Sequence, residues 1–401
     1  MGAVRARLHY FLQMQSSRTT HTKALRRRLI VAALAIAVSP LAAQAPVVNW
    51  SESPVVTDAR LETVIDGLNR PWSVAWLPDG GLLITQRNGT LLYFSDAGAE
   101  PQRVAGVPRV FAQGQGGLLD VVLHPQFSQN RWVYFSYSAG TRSANRTEVA
   151  RYRFDDGSLR DGQVVFRVNA DKSGSQHFGS RLAWLPDGTL LISIGDGGNP
   201  PLQFADGLQR DQAQEPETLF GAIARINADG SVPADNPFVG DAGVQPQMYS
   251  IGHRNVQGIV VDPSTGAVWA TEHGSRGADE MNAVRAGANY GWPRVSHTRE
   301  YRSGALVSPD SSLPGFEDPR LVWLETVAPS GLALRDRMLY AGGLRSQAVH
   351  EITLASDGSY SSQRVIPIGA RVRDVRVGPD GALYVLTDEE RTGRLIRVTL
   401  R

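Results

Sequence analysis

The sequence predicts an all-β protein, a six-bladed β-propeller closed by an N-terminal strand that joins the last blade. Two observations carry this. After residue 46 helical periodicity is scarce, and a unit of apolar strand, turn and second apolar strand recurs instead. The copies begin at Val74 ("VAWLPDGGLLITQRNGTLLYF"), Val121 ("VVLHPQFSQNRWVYFSYS") and Leu182 ("LAWLPDGTLLISIGDGG"). Three more begin at Ile259 ("IVVDPSTGAVWATEHG"), Leu332 ("LALRDRMLYAGGLRSQAVHEI") and Val375 ("VRVGPDGALYVLTD"). In Pro-Asp-Gly, proline's fixed φ and glycine's permissive φ stand where a tight turn needs them. The flanking runs alternate with period two, as half-buried strands do. The second observation is spacing: the turns recur at roughly 45 to 75 residues, the length of a four-stranded blade with variable loops. The early stretch "ARLETVIDGL" then supplies the strand that closes the ring. A large β-sandwich is the competing architecture, but the same turn grammar runs along the entire chain after residue 46.

Composition bounds the setting. Residues 1–43 hold seven Lys or Arg and no Asp or Glu, and "KALRRR" leads into "LIVAALAIAVSPLAA". That order of basic region, apolar region and small residues is a secretory signal, with cleavage expected after Ala43. The apolar run is too short and wrongly flanked for a spanning helix. The remaining residues, 44–401, are expected to be a single catalytic propeller domain with 34 basic and 39 acidic side chains. Such a mildly acidic export product offers no electrostatic footprint for nucleic acid. The chain has no cysteine, which excludes disulfides, thiolate metal sites and cysteine nucleophiles. It is expected in the periplasm or outside the cell, without a membrane span once the signal is removed.

Polar clusters stand at equivalent blade ends: "GQGGLLD" at 114–120, "SQHFGSRL" at 175–182, "GDGGNPP" at 195–201 and "IGHRNVQG" at 251–258. Later ones are "TEHGSRGADEMN" at 271–282, "NYGWP" at 289–293, "TVAPSG" at 326–331 and "RVRDV" at 371–375. Each alone has a plain structural explanation. A glycine at a strand end serves a turn, a lone histidine serves packing, and arginines in a chain with only two lysines form surface ion pairs. In a propeller, however, blade-end loops converge on one face, so these clusters can form one site.

Together the clusters resemble the soluble quinoprotein glucose/sorbosone dehydrogenase family, over essentially the whole chain from "LNRPWSVAWLPDG" to "VRDVRVGPDGALYVLTD". "GHRNVQG" followed by "TEHG", "DEMN" and "NYGWP" is the most diagnostic portion. The resemblance implies a six-bladed propeller that holds pyrroloquinoline quinone (PQQ) and calcium and oxidises the C1 hydroxyl of an aldose to a lactone. It implies that His177 is the base and that Asp196 orients it. Gln115 matches a residue lining the sugar site. Arg254, Asn255, Arg371 and Arg373 match cofactor contacts, and Arg345 stands where the glucose dehydrogenase branch has lysine. PQQ is a flat ortho-quinone with three carboxylates, which arginine forks bind bidentately. Calcium takes oxygen ligands. The resemblance assigns the catalytic ion to the carbonyls of Gly274 and Ser275, and a structural ion to Asp279 or Glu280 near Tyr290. A turn-capping role is the alternative for Asp279 and Glu280.

Three departures separate the chain from the glucose branch. Ser275 replaces the usual proline, and Gln176 stands where that branch has aspartate. The stretch between "NYGWP" and "TVAPSG" is also short. The aldose sugar dehydrogenase branch therefore fits better, with a permissive sugar site, an unidentified electron acceptor and a monomeric state. Two rival functions exist on the same architecture. They are a calcium-dependent lactonase-type hydrolase, which needs several converging carboxylates, and a non-enzymatic binding propeller.

Overall fold

The computed structural model describes residues 45–155, 157–198 and 202–400. The expected signal segment, residues 1–43, lies outside the described residues. Six four-stranded antiparallel blades follow one another in chain order. Their innermost strands are Pro71–Trp76, Leu118–Leu123, Leu182–Trp184, Val256–Val261, Pro329–Arg335 and Val372–Val377, in blades 1 to 6. Each inner strand touches the next, and the sixth returns to the first. Ring closure follows the expected route: Arg60–Leu68 pairs antiparallel with Gly393–Thr399 as the outer strand of blade 6.

The alternation of the strands explains why blades stack. Six of the apolar clusters each lie between two neighbouring blades, so neither face of a blade is left wet. Leu83 and Leu91 of blade 1 meet Val133 and Phe135 of blade 2. Leu332 and Leu339 of blade 5 meet Met281 and Trp323 of blade 4. The closing interface sets Ile84 of blade 1 against Leu386 and Leu395 of blade 6. Each such fully buried side chain contributes about 1.5–3 kcal/mol. The Pro-Asp-Gly turns hold through the aspartate, which accepts the N–H two residues on: Gly81 N to Asp79 (3.1 Å), Thr189 N to Asp187 (2.9 Å) and Ala382 N to Asp380 (3.1 Å). The following Gly80, Gly188 and Gly381 have φ of 95°, 81° and 74°, a region costly for any residue with a Cβ.

Two features were not anticipated. Val47–Val48 adds a parallel fifth strand to blade 4, beside Leu321–Trp323. Blade 3 also carries a long insertion between its second and third strands, including the 3-10 segment Gln209–Gln214.

The register of the inner strands positions the site. Pairing runs from Pro71↔Gln86 to Ser73↔Thr85, which leaves Trp72 as an extra residue. The same irregularity leaves Gln257 extra in blade 4 and Arg373 extra in blade 6. Blades 2 and 5 shift register between Leu118 and Val121 and between Pro329 and Leu332. Such β-bulges re-aim side chains at the rim of a sheet. Ser73 and Asp374, just after their bulges, and Asp120, within the shift of blade 2, meet where the inner strands converge. Asp120 of blade 2 accepts from Ser73 Oγ of blade 1 (2.6 Å), Arg376 Nη2 of blade 6 (2.6 Å), and Arg181 Nη1 (3.3 Å) and Leu182 N (2.8 Å) of blade 3. Asp374 pairs with both Arg181 (2.9 Å) and Arg376 (2.8 Å).

The N-terminal segment also creates an acid-sensitive point. His350 is fully buried against Trp50 and Trp323, with Nε2 2.9 Å from Ser346 Oγ. Burial holds its pKa down to about 3. The unfolded chain therefore takes up this proton near 6.5, whereas the folded chain does so only near 3. Stability present above 6.5 is lost between these values at up to about 1.4 kcal/mol per pH unit. Chemical denaturation of His350→Gln from pH 6.5 to 4 should show a flatter decline than the parent. An identical slope would exclude His350 as the cause.

Candidate active site

One cavity opens on the face where inner strands begin and second strands end. Its walls include three bulge residues named above, Trp72, Gln257 and Arg373, together with Leu119 and Leu344. Loops entering the inner strands add Gln115, Phe178, Gly179, Ala328 and Arg371. Arg87 and His273 complete it, each lying one residue past the end of a second strand.

His177 and Asp196 are not themselves among the lining residues, but His177 adjoins the cavity through Phe178 and Gln115, and the two form a buried pair, His177 Nδ1 to Asp196 Oδ1 at 2.6 Å. The local sequence explains the approach. His177 has φ +49°, in the left-handed region uncommon for a residue with a side chain. Its N–H donates to Gln115 Oε1 (2.8 Å), which fastens the turn. Gly195 is demanded by close packing, because a Cβ there would strike the His177 carbonyl group. The carboxylate of Asp196 is fully engaged: Gly198 N (3.0 Å) also donates to Oδ1, and Trp292 Nε1 (2.9 Å) donates to Oδ2.

The electrostatics give the pair a definite protonation. Burial lowers the His177 pKa, Arg254 lowers it further, and Asp196 opposes both. Burial resists ionisation of Asp196, yet His177, Arg254 and the Gly198 N–H together pull its pKa below the usual carboxylate value. The resting form is neutral imidazole with ionised carboxylate. A carboxylate only accepts, so the proton sits on Nδ1 and Nε2 is left as a base. Trp292→Phe deletes one of the bonds that hold Asp196. A fall in turnover of about tenfold is expected, equivalent to one hydrogen bond of roughly 1–1.5 kcal/mol. Steady-state kinetics with unchanged turnover would remove Trp292 from the positioning of this pair.

The cavity wall is cationic. Arg371 and Arg373 converge on a single carboxylate, Asp388, at 3.7 and 2.7 Å. Burial disfavours charge on Asp388, but Arg373, Arg87 and Arg371 hold its pKa down to about 2. Three guanidiniums thus share one anion. Arg254 lies instead beside the His177–Asp196 pair and lines a second cavity, its Nη1 on the His273 carbonyl (3.0 Å) and its guanidinium 5.3 Å from the Trp292 ring centroid. The Nε atoms of Arg254 and Arg373 are buried without a hydrogen-bond partner among the described residues. Buried donors left unpaired in this way are costly unless a ligand meets them. Unpaired cationic donors, with Trp72 and Phe178 as flat apolar walls, suit a planar polyanion.

The remaining expected residues divide. Asn255 is buried and accepts from Gly179 N (3.2 Å) and Gln257 Nε2 (3.4 Å), so it braces the wall behind the cavity. Arg345 is exposed and is not among the cavity-lining residues, although the adjacent Leu344 is. Gly274, Glu280 and Tyr290 line this second, smaller cavity together with Arg254, Glu272 and Trp292. Ser275 is buried, its N–H on Thr298 Oγ1 at 2.8 Å. Asp279 spends its carboxylate on three backbone amides, Gly274, Val327 and Ala328, each at 2.8 Å. Burial and the neighbouring Glu272 raise the Glu280 pKa well above its usual value. Asn282 Oδ1 beside these carboxylates is buried without a partner. Hard oxygens collected in this way suit a divalent cation. Among the described residues no three or more His, Asp or Glu side chains group as a metal site, so an ion held here would need backbone carbonyls among its ligands.

Arg87, Asp388, Trp72, Trp292 and His273 were not anticipated. A positional signal exists for three of them. Arg87, His273 and Asp388 occupy one equivalent place, directly after the second strands Leu82–Gln86, Val268–Glu272 and Leu383–Thr387.

The chain is similar to known proteins over most of its length. A family model described as glucose/sorbosone dehydrogenase matches residues 68–397. A Synechocystis protein described only as uncharacterized is 51% identical over 351 residues, covering 84% of this chain and 85% of its own. The aldose sugar dehydrogenase YliI of Escherichia coli is 37% identical over 355 residues, covering 85% and 93%. The PQQ-bound form of aldose sugar dehydrogenase from Streptomyces coelicolor superposes with a TM-score of 0.70 at 29% identity, over 86% of this chain and 100% of that one.

Proposed function

Because the chain belongs to the glucose/sorbosone dehydrogenase family, we propose that it is an exported quinoprotein that oxidises the C1 hydroxyl of aldoses to lactones with PQQ and calcium. The observation that carries this reading is a buried, neutral His177–Asp196 pair whose chain neighbour Phe178 and hydrogen-bond partner Gln115 line the same cavity as Arg87, Arg371 and Arg373. The Streptomyces relative is a PQQ-bound form, which supports the same cofactor here. The basic and then apolar leader supports export. Among the described residues, no helix is long and apolar enough to cross a membrane.

Arg87, Arg371, Arg373 and Arg254 would hold the carboxylates of PQQ, and the carbonyls of Gly274 and Ser275 would hold the catalytic calcium. When bound, PQQ supplies the two-electron acceptor and calcium the Lewis acid. The work of the chain's own residues is positioning and proton removal. Asp196 keeps the His177 ring in the tautomer that exposes Nε2, and Nε2 takes the proton of the C1 hydroxyl. Gln115, fixed through its bond to His177 N–H, lines the sugar side. Trp72, Phe178 and Leu344 give the cavity its apolar wall surface. Glu280 and the vicinity of Tyr290 are assigned to the structural ion. Asp279 serves the loop through its three amide bonds. The exposed Arg345 is left with contact to incoming ligand at the rim. The protein is taken as a monomer that passes electrons to an acceptor still to be identified.

The test is direct. Purified protein supplied with PQQ and calcium should reduce an artificial dye when given aldoses, and omission of either addition should abolish this. Dye reduction independent of PQQ, or none under any condition, overturns the reading.

A further inference from the structure

Every Lys or Arg after residue 43 is arginine except one, and that exception, Lys172, is buried beside the catalytic pair. It is 3% exposed. Its backbone N–H and C=O both bond to Asn145, each at 2.9 Å, and its Nζ donates to Asn145 Oδ1 at 3.0 Å. The Asn145 amide is itself anchored on the Thr141 (2.7 Å) and Gly174 (2.8 Å) carbonyls, so the lysine has little freedom. The ammonium lies 4.0 Å from the ring centroid of Phe178, the residue after His177 and a wall of the cavity. Its stem presses on Gly197, the residue after Asp196, at φ +80°, where a Cβ would strike Lys172 Cδ. One side chain thus touches the chain neighbours of both members of the pair.

We propose that Lys172 is a positioning residue for the base: its caged ammonium keeps the His177–Asp196 pair as neutral imidazole and ionised carboxylate at pH values where the imidazole would otherwise protonate. The charged groups around it are few. Asp196 attracts its charge, and His177 and Arg254 share the same buried region. Asn145 from blade 2 and Gln209 from the 3-10 segment are neutral. Asp171 is paired with Arg146 at 2.7 Å. Burial lowers the Lys172 pKa to about 7, against the pull of Asp196, and Lys172 is among the charges that lower the His177 pKa. The sign is therefore set. Below about 7 the ammonium is charged and repels a proton from His177; above it both groups are neutral and no help is needed.

The proposal rests on His177 being the base, and the experiment separates the two. In the reconstituted enzyme, Lys172→Met should move the acid limb of kcat/KM upward by about one pH unit and leave the alkaline plateau. Lys172→Arg, which keeps the charge, should leave the limb where the parent has it. A uniform loss of turnover with an unmoved limb means a packing role only and overturns the proposal. The second measurement is a titration that needs no cofactor. In the full chain carrying lysine labelled with carbon-13 at Cε, Lys172 and Lys23 give the only two resonances, distinguished by Lys23→Arg. Lys172 should titrate near 7, and the His177 ring should titrate higher in Lys172→Met than in the parent. A lysine titrating near 10.4, its ordinary value, or an unmoved His177 overturns the proposal. Shifted titrations in an enzyme whose His177→Ala variant still turns over would fault only the base assignment.

Discussion

Replacing His177 with alanine lowers turnover of the reconstituted enzyme by roughly 10²- to 10⁴-fold, the usual contribution of a positioned general base. PQQ affinity changes little, because the guanidinium wall is built from other blades. The size of the effect follows from the geometry. His177 Nδ1 is committed to Asp196 at 2.6 Å, so the ring presents one basic nitrogen and cannot swap tautomers without breaking that bond. The ring is 2% exposed, so in the parent it is shielded from bulk water. Stopped-flow reduction of the bound cofactor by aldose isolates this step from the later transfer to the acceptor. A rate within about threefold of the parent, far short of the loss expected for a general base, would remove His177 from the proton transfer.

Replacing Asp120 with alanine costs about 3–5 kcal/mol of stability, the penalty for leaving buried cations without their anion. Asp120 is fully buried where the inner strands converge, and there Arg181 is 1% exposed and Arg376 half-buried. Its two oxygens tie together Ser73, Arg181, Leu182 and Arg376, which belong to blades 1, 3 and 6. Asp374 cannot compensate, since both its oxygens already serve the same two arginines. Loss of Asp120 therefore loosens the ring from its centre, just below the cavity walls Trp72, Leu119 and Arg373. Urea denaturation should show a lower midpoint, and Asp120→Asn should lose less than Asp120→Ala by keeping part of the hydrogen bonding. A midpoint unchanged in both would mean that this network does not hold the blades.

The architecture was legible because its signals are local. Pro-Asp-Gly turns and period-two runs declare hairpins, and "ARLETVIDGL" declares the closing strand. Val47–Val48 was not legible, since two residues carry no period and the strand exists only through its partner in blade 4. The polar clusters marked His177, Asp196, Gln115, Arg254, Arg371 and Arg373 because each stands in an unusual glycine-rich or charged setting at a blade end. Arg87 and Asp388 stand in ordinary turns, "TQRNG" and "LTDEE", and become conspicuous only when second-strand ends are superposed across blades. Trp72 reads as a core tryptophan until the bulge turns it into the cavity. Lys172 is similar: its sequence neighbourhood "NADKSGS" looks like a solvated loop, and only folding seats it over Phe178.

The proposed site would hold a planar triacid and a sugar between convergent guanidiniums and one imidazole. A visible absorption titration of the purified protein with PQQ at saturating calcium tests it most directly, followed by addition of an aldose. Saturable binding of one PQQ per chain is expected, weakened at least about tenfold in Arg373→Ala by loss of a charge-assisted contact, with loss of the oxidised-quinone band once sugar is added. A spectrum identical to that of PQQ free in buffer, before and after the sugar, would contradict it.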